Sequence, residues 1–393
     1  MNRIEQGLRA GALSVVLWHG AGLAQVIAAQ PLIAAGGEQS LAMKADGSVW
    51  VWGYSGRGEP SPGAAQVHPV PVNRVRGIVA AAVSSQHHFL GLQRDGHVLA
   101  WGWNFFGQLG DGTQRPRDAA VAVKSLRGIV AVSAGSDFSA ALGADGGVWV
   151  WGGNFIGQLG ELGGPAPALR LAPVRLPGLS GVRAIAAGLG DSYALDAAGR
   201  VWTWGRSSYP GESATASGAA RYAPVLVAGL DGIMAIANGG EHAMALKRDG
   251  TVWAWGINPD GRLGDGSHAY RAEPAKVRAL NKVVAVSSGR HHNLALRADG
   301  SVWAWGGNHE GQLGDASFTD RELPVPVHGI DQVVAIAAGA THSVALRSDG
   351  SLWSWGDNRA GQLGDGSTET KNQPVRVTAR RGGGFSLGSG SRH

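Results

Sequence analysis

Histidines recur at one position of a repeated Gly-x-x-His segment, and imidazole is the side chain in this sequence with the widest capacity for chemistry. The residues at this position are Gln39, His88, Phe138, Asp191, His242, His292 and His342, and His87 and His291 lie beside two of them. A ring of imidazoles could bind a metal ion or supply general bases. Because each histidine recurs with its repeat, it could instead satisfy local backbone groups, and we expect this structural role.

Glycine-rich Gly-Gln-Leu-Gly segments are a second candidate site, because glycine-rich loops can hold phosphate groups. They begin at Gly107, Gly157, Gly311 and Gly361, and Gly261-Arg-Leu-Gly264 is a variant. A phosphate loop needs Gly-Lys followed by Ser or Thr, which these segments lack, so turn formation explains the glycines. The sequence also lacks zinc-protease and EF-hand motifs and contains no cysteine. We therefore expect no enzyme activity, no cofactor and no metal site.

Large apolar side chains follow the repeated Trp-Gly pairs in the first three copies of the repeat. These residues are Tyr54, Trp103, Phe105, Phe106, Phe155 and Ile156. The last three copies carry Pro259-Asp260, His309-Glu310 and Arg359-Ala360 instead. Neighbouring loops with several aromatic side chains predict a binding patch for a protein partner, since such residues dominate interface energetics. The alternative is that these side chains fold inward and cap the core.

The elements that must position these residues are seven copies of one unit. Trp-Gly pairs begin at Trp52, Trp101, Trp151, Trp204, Trp255, Trp305 and Trp355, with spacings of 49 to 53 residues. Six residues before each Trp lies an Asp-Gly pair, except in the fourth copy, which has Ala198-Gly199. Self-similarity at a fixed period of this length is typical of repeat architectures such as propellers.

The clearest copy, residues 324 to 364, predicts four strands. They are Pro324–Val327, Val333–Ala337, Ser343–Arg347 and Leu352–Trp355, with Asp349-Gly350 as a hairpin turn. The unit is apolar on both faces and its connections are too short for covering helices, so similar sheets must stack around an axis. The sequence therefore predicts an all-β, seven-bladed propeller of four-stranded antiparallel blades.

Ring closure is predicted from a surplus segment. The first copy starts at Ile33 and lacks a preceding Pro-Val-x-Val segment, whereas the last copy is followed by an additional one, Pro374–Val377. We expect this C-terminal strand to complete the blade begun by the N-terminal part of the chain, which would remove two exposed sheet edges.

Composition and the N-terminal residues bear on location and partners. The 393-residue chain has a formal net charge of +5, but its basic residues are not clustered, so we expect no nucleic-acid partner. Residues 1–24 have the form of a secretory signal peptide, with Arg3 and Arg9 before an apolar run and small residues ending at Ala24. An uncleaved anchor or a buried helix is the alternative. A propeller over 31–378 would follow, then a flexible Gly/Ser-rich tail over 379–393.

The mature protein is therefore expected to be secreted, periplasmic or on the cell surface. No second apolar run follows the N-terminal one, so we expect no membrane span in the mature chain, and we expect a monomer.

The sixth copy, from Ser287 to Ala316, resembles the regulator of chromosome condensation repeat. Asp-Gly, Trp-x-Trp-Gly and Gly-Gln-Leu-Gly recur together at fixed offsets over residues 31 to 378, and this resemblance implies the family's seven-bladed propeller. The export signal favours a secreted bacterial-type member, a non-enzymatic module that binds a protein through one loop face. The founding member is a nucleotide-exchange factor for a Ras-like GTPase, so exchange is one alternative function; carbohydrate or cell-surface binding is another.

Overall fold

The fold is a ring of seven four-stranded antiparallel sheets, as a computed structural model of the chain shows. The structure describes residues 32–54, 65–73, 75–160, 168–205, 221–380 and 383–388. The prediction of an all-β, seven-bladed propeller is thus confirmed. The predicted signal peptide, residues 1–24, lies outside the described residues. Within the described ranges, no helix is long and apolar enough to cross a membrane.

Each blade contains four strands in chain order, and blades 1 to 7 follow one another along the sequence. The first, innermost strands are β1 (Leu32–Ala35), β5 (Ile78–Val83), β9 (Ile129–Ala134), β13 (Val182–Ala187), β17 (Ile233–Asn238), β21 (Val283–Ser288) and β25 (Val333–Ala338). The second strands are β2 (Gln39–Met43), β6 (His88–Gln93), β10 (Phe138–Gly143), β14 (Asp191–Asp196), β18 (His242–Lys247), β22 (His292–Arg297) and β26 (His342–Arg347). The third strands are β3 (Val49–Tyr54), β7 (Val98–Gly102), β11 (Val148–Gly153), β15 (Val201–Gly205), β19 (Val252–Gly256), β23 (Val302–Gly306) and β27 (Leu352–Gly356). The outermost strands are β4 (Ala65–Pro71), β8 (Arg117–Ala122), β12 (Leu169–Arg175), β16 (Arg221–Leu226), β20 (Arg271–Lys276), β24 (Arg321–Pro326) and β28 (Lys371–Arg376).

The hydrophobic core lies in the seams, the boundaries between neighbouring blades. Trp305 of blade 6 is fully buried and packs in one cluster with Leu246, Leu263 and Val277 of blade 5. Comparable clusters lie between the other blades, because each sheet is apolar on both faces and each face is covered by its neighbour. Stacking thus replaces the covering helices that the short connections exclude.

The strand order within a blade differs from the predicted one. The Pro-Val-x-Val segment is the outermost strand of the preceding blade, not the first strand of the next. Val375 of β28 pairs with Ser354 of β27, so Pro374–Val377 belongs to blade 7. Blade 1 has its own outer strand, β4, which pairs with β3. The expectation that the C-terminal strand completes the N-terminal blade was therefore wrong.

Side chains and turns close the ring in place of a shared strand. The innermost strands β1 and β25 are neighbours across the seam between blades 7 and 1. The Ala340 backbone N–H donates to the carbonyl oxygen of Gly36 at 2.8 Å. The Trp52 indole N–H donates to the backbone oxygen of Gln362 at 2.9 Å. The contacts across this seam are therefore of the same kind as those between the other neighbouring blades.

Part of the segment expected to be a flexible tail packs against this seam. Phe385 and Leu387 are buried, and the Phe385 ring lies 5.3 Å from the Trp50 ring of blade 1. Ser386 forms an antiparallel bridge with Ser351 of blade 7. Residues 383–388 thus connect the last blade to the first.

Candidate functional site

The histidines at the repeated position tie neighbouring blades together. His342 Nε2 of blade 7 lies 2.9 Å from Ser40 Oγ of blade 1. Ser40 donates its only hydroxyl proton to the backbone oxygen of Gln362, so its oxygen must accept the N–H of His342. This bonding pattern places the imidazole proton on Nε2 and makes the histidine structural. The equivalent triplets elsewhere are His88/Ser139/Gln108, His292/Ser343/Gln312 and His242/Asn293/Arg262.

Burial keeps these imidazoles neutral. It lowers the pKa of His88, His242 and His292 to about 3 and that of His342 to about 4. The described residues contain no group of three His, Asp or Glu side chains placed to hold a metal ion. The hydrogen bonds that these histidines make across the seams explain why they recur at the same position of the repeat.

The Gly-Gln-Leu-Gly segments also serve the seams. The Gln362 carbonyl accepts hydrogen bonds from both Ser40 and Trp52, and the neighbouring Leu363 is fully buried. A Cβ on Gly364 would lie only 2.8 Å from the Trp52 indole, so glycine is required for this close approach. These segments therefore form turns that insert between blades, which agrees with the structural interpretation of their glycines.

The same segments hold the variable residues in a fixed orientation on one end of the ring. In blade 2, the Asn104 side chain accepts the Leu109 N–H, and the Gln108 side chain accepts the Phe106 N–H. Phe105 is 43% exposed, whereas Phe106 is half-buried. In blade 3, the matching Phe155 is 53% exposed and Ile156 is half-buried. Each loop therefore presents its first variable residue to solvent and turns its second toward the protein.

The aromatic residues of the predicted patch, together with His87, form two groups of contacting rings across blades 1 to 3. Tyr54 lies 4.5 Å from His87, His87 lies 5.0 Å from Trp103, and Trp103 lies 5.6 Å from Phe105, between ring centroids. Phe106 and Phe155 meet at 5.3 Å across the next seam. We call these six residues the aromatic surface: Tyr54, His87, Trp103, Phe105, Phe106 and Phe155. Ile156 follows Phe155 at its edge.

His87 enters this surface because the turn between β5 and β6 is one residue longer than its counterparts. The Ser84 N–H donates to the His88 carbonyl four residues on, whereas the Gly135 N–H of blade 3 donates to the Phe138 carbonyl three residues on. His87 absorbs the additional residue with a φ of 61°, a left-handed conformation that is unfavourable for a side chain with a Cβ. Burial lowers its pKa to about 4, so the ring between Tyr54 and Trp103 is neutral.

Two acidic residues lie beside the aromatic surface, each directly before the residue at the repeated histidine position, which is Gln39 in blade 1 and Phe138 in blade 3. The Glu38 carbonyl accepts the Tyr54 N–H at 2.8 Å, and the Asp137 carbonyl accepts the Gly153 N–H at 2.9 Å. The Phe155 ring and the Asp137 Cβ lie 3.2 and 3.3 Å from where a Cβ on Gly153 would stand. Burial raises the pKa of Asp137, whose carboxylate accepts one hydrogen bond, from Ser136.

The carboxylates on the opposite side of the same face are neutralised by arginine. The fully buried Arg262 pairs with both Glu241 and Asp260, and Arg359 pairs with Glu310 and Asp357. In contrast, among the described residues neither Glu38 nor Asp137 takes part in an ion pair. Among the described residues, blades 1 to 3 thus present aromatic rings beside Glu38 and Asp137, which are outside any ion pair, whereas Glu241, Asp260, Glu310 and Asp357 of blades 5 to 7 are paired with arginine.

The sequence indicated the aromatic residues of this face but missed His87, Glu38 and Asp137. The length of the turn before His88 was the available signal for His87, because one additional residue must be accommodated there. Glu241 pairs with Arg262 of its own blade, which replaces the glutamine of the Gly-Gln-Leu-Gly segment. That replacement was visible in the sequence, but the contact between the two side chains was not.

Comparisons with known proteins agree with this architecture. The profile of the RCC1-like domain matches residues 66–393. Human E3 ubiquitin-protein ligase HERC2 is 31% identical over 252 residues, which cover 61% of this chain and 5% of that protein. The ultraviolet-B receptor UVR8 of Arabidopsis thaliana is 30% identical over 226 residues, 56% of this chain and 50% of the receptor. The chain thus spans half or less of these two relatives.

Solved structures show the same fold. Prp20p from Saccharomyces cerevisiae superposes with a TM-score of 0.72 at 22% identity, covering 84% of this chain and 85% of Prp20p. Human WBSCR16 superposes with a TM-score of 0.73 at 24% identity, covering 84% of this chain and 94% of WBSCR16. Because the RCC1-like profile covers well over half of its length, the chain belongs to the RCC1-like domain family.

Proposed function

We propose that this propeller is an exported, monomeric, non-enzymatic module that binds another protein through the aromatic surface of blades 1 to 3. The observation that carries the proposal is the exposure of Phe105, which packs on Trp103, and of Phe155, which packs on Phe106. Aromatic side chains with one face in solvent provide much of the binding energy at protein interfaces. The expected export signal supports action outside the cytoplasm.

Proteins of this fold bind other proteins, as Prp20p binds Gsp1p and histones. The histidines at the repeated position and the Gly-Gln-Leu-Gly segments hold the seams together, which leaves the variable residues of the loop face for recognition. Fixed loops favour binding because little conformational entropy is lost when a partner docks.

The test compares partner capture by the wild-type chain with capture by Phe105→Ser/Phe155→Ser. Partners would be identified by mass spectrometry, purified and measured for affinity by calorimetry. We expect the double variant to weaken binding at least about a hundredfold, since each aromatic anchor contributes about 1–3 kcal/mol. Phe318→Ser, at an exposed phenylalanine of blade 6, is the matched control.

Three results would contradict the proposal. Unchanged affinity in the double variant, with unchanged melting temperature, would place the interface elsewhere. Binding of an oligosaccharide that is lost in the same variant, without any protein partner, would assign the surface to carbohydrate. A large loss of melting temperature would show that Phe105 and Phe155 cap the core.

A further inference from the structure

Acidic residues lie beside the aromatic surface, and their charge indicates what the surface binds. Glu38 is exposed beside Tyr54, and Asp137 is half-buried beside Phe155. An unpaired, partly buried carboxylate costs free energy, and a cation supplied by a partner would remove that cost. On the other side of the ring, Arg262 and Arg359 already supply such a cation to Asp260 and Asp357.

The ring geometry favours the same kind of ligand. The planes of Trp103 and Phe105 meet at 76°, and those of Phe106 and Phe155 meet at 82°. Nearly perpendicular rings form corners in which one ring offers its electron-rich face to a group lying against the other. Aromatic corners with nearby carboxylates bind ammonium and guanidinium groups through cation–π attraction and charge.

The surface does not supply such a cation from its own residues. His87, the titratable group inside the row of rings, is neutral, because burial lowers its pKa to about 4. Its Nδ1 and the Trp103 Nε1 are buried without a hydrogen-bond partner among the described residues. The strained backbone of His87 places this neutral ring where Tyr54 and Trp103 can pack on it.

We propose that the aromatic surface, together with Glu38 and Asp137, recognises arginine or lysine side chains on a basic segment of a partner protein. The proposal rests on the proposed function and specifies the chemistry of the partner. It follows from three features of blades 1 to 3: exposed perpendicular rings, two acidic residues beside them that pair with no cation among the described residues, and a neutral histidine between Tyr54 and Trp103.

The test uses two peptides, (Gly-Arg)4 and the same peptide with citrulline in place of arginine. Citrulline keeps the planar end group and loses the charge. The whole protein has a formal net charge of +5, so it does not attract a cationic peptide through its net charge. Binding would be measured by calorimetry at low salt. We expect the arginine peptide to bind at least about tenfold more tightly than the citrulline peptide.

Substitution of the two acidic residues tests whether their charge contributes to binding of the peptide. Glu38→Gln and Asp137→Asn should each weaken binding of the arginine peptide roughly three- to tenfold and reduce its salt dependence. Asp118→Asn, at an exposed carboxylate on the outer strand of blade 2, is the matched control and should change neither. Unchanged melting temperatures would show that the variants remain folded.

The outcomes separate this proposal from the proposed function. Equal binding of the two peptides, or no binding of the arginine peptide, would overturn cation recognition, and so would unchanged affinity in Glu38→Gln and Asp137→Asn. If Phe105→Ser/Phe155→Ser still lost its protein partner in that case, the proposed function would stand. If the arginine peptide bound as expected but that double variant kept its partner, the proposed function would fail alone.

Discussion

The indole nitrogen of Trp52, in the first blade, donates a 2.9 Å hydrogen bond to the backbone oxygen of Gln362, in the last blade. The same bond joins Trp151 to Gln108 and Trp355 to Gln312 inside the chain. The seam between the ends of the ring is therefore built like the interior seams. The ring closes because the contact that joins neighbouring blades is repeated between the last blade and the first, and no strand is exchanged between them.

The histidine of the closing seam should contribute to stability. His342→Ala removes a buried hydrogen bond to Ser40 and leaves a cavity, so we expect a loss of about 2–4 kcal/mol in the free energy of unfolding. Urea denaturation followed by tryptophan fluorescence would measure it. His328→Ala, at an exposed histidine, should change stability by less than about 0.5 kcal/mol. Equal effects of the two substitutions would contradict a role of His342 in holding blades 7 and 1 together.

Stability should fall as the pH is lowered below about 6.5, the usual pKa of an unfolded histidine. Burial lowers the pKa of His88, His242 and His292 to about 3 and of His342 to about 4, so in this range the unfolded chain binds protons that the folded chain does not. Each histidine can contribute up to about 1.4 kcal/mol per pH unit until the pH reaches its folded pKa.

Urea denaturation at pH 7, 6 and 5 would measure this dependence. His292→Gln removes one of the four groups and should give a shallower slope than the wild-type chain. A free energy of unfolding that stays constant between pH 7 and pH 5 would show that these imidazoles can be protonated without unfolding.

The C-terminal segment should stabilise the closing seam through Phe385. Phe385→Ala removes a buried ring that packs on Trp50 and Trp52, and we expect a loss of about 2–4 kcal/mol. Phe318→Ala, at a 52% exposed ring, is the matched control and should lose less than about 1 kcal/mol. Differential scanning calorimetry would compare them, and similar melting temperatures for the two variants would disprove the contribution of the C-terminal segment.

The ion pairs of Arg262 provide a separate test of charge on the loop face. Arg262→Gln restores the side chain that most copies have here, but it leaves Glu241 and Asp260 without their buried partner. We expect a loss of about 1–3 kcal/mol. Glu241→Gln and Asp260→Asn added to Arg262→Gln should recover most of it. If the triple variant were no more stable than Arg262→Gln, the loss would come from packing and not from unpaired charge.

The sequence contained enough information for the fold class but not for the strand order. Period, paired tryptophans and Asp-Gly turns predicted blades, because each is a local pattern. The Pro-Val-x-Val segment was assigned to the wrong sheet because it lies closer in sequence to the following strand. A short connection joins the outermost strand of one blade to the first strand of the next, as between Pro71 of β4 and Ile78 of β5. A longer loop joins the third and outermost strands of the same blade, as between Gly356 of β27 and Lys371 of β28.

The long loop returns the chain to its own blade because its polar side chains are fixed to the outer strand. In blade 6, Asp315 accepts hydrogen bonds from Arg321, at the start of β24, and from Asn308 in the loop. These side chains are only six and seven residues apart, but the sequence does not show which of them bond to one another. In the site, aromatic content identified Phe105 and Phe155, but which carboxylates are paired with arginine depends on side-chain contacts that the sequence does not show.

The location of each sheet within one continuous stretch of chain has a mechanical consequence. If the two ends of the ring were pulled apart, the load would fall on the boundary between blades 7 and 1, where single hydrogen bonds and packed rings hold the structure. These contacts would rupture before the backbone ladders inside any sheet. The circle should therefore open at one place under tension while its seven sheets remain intact.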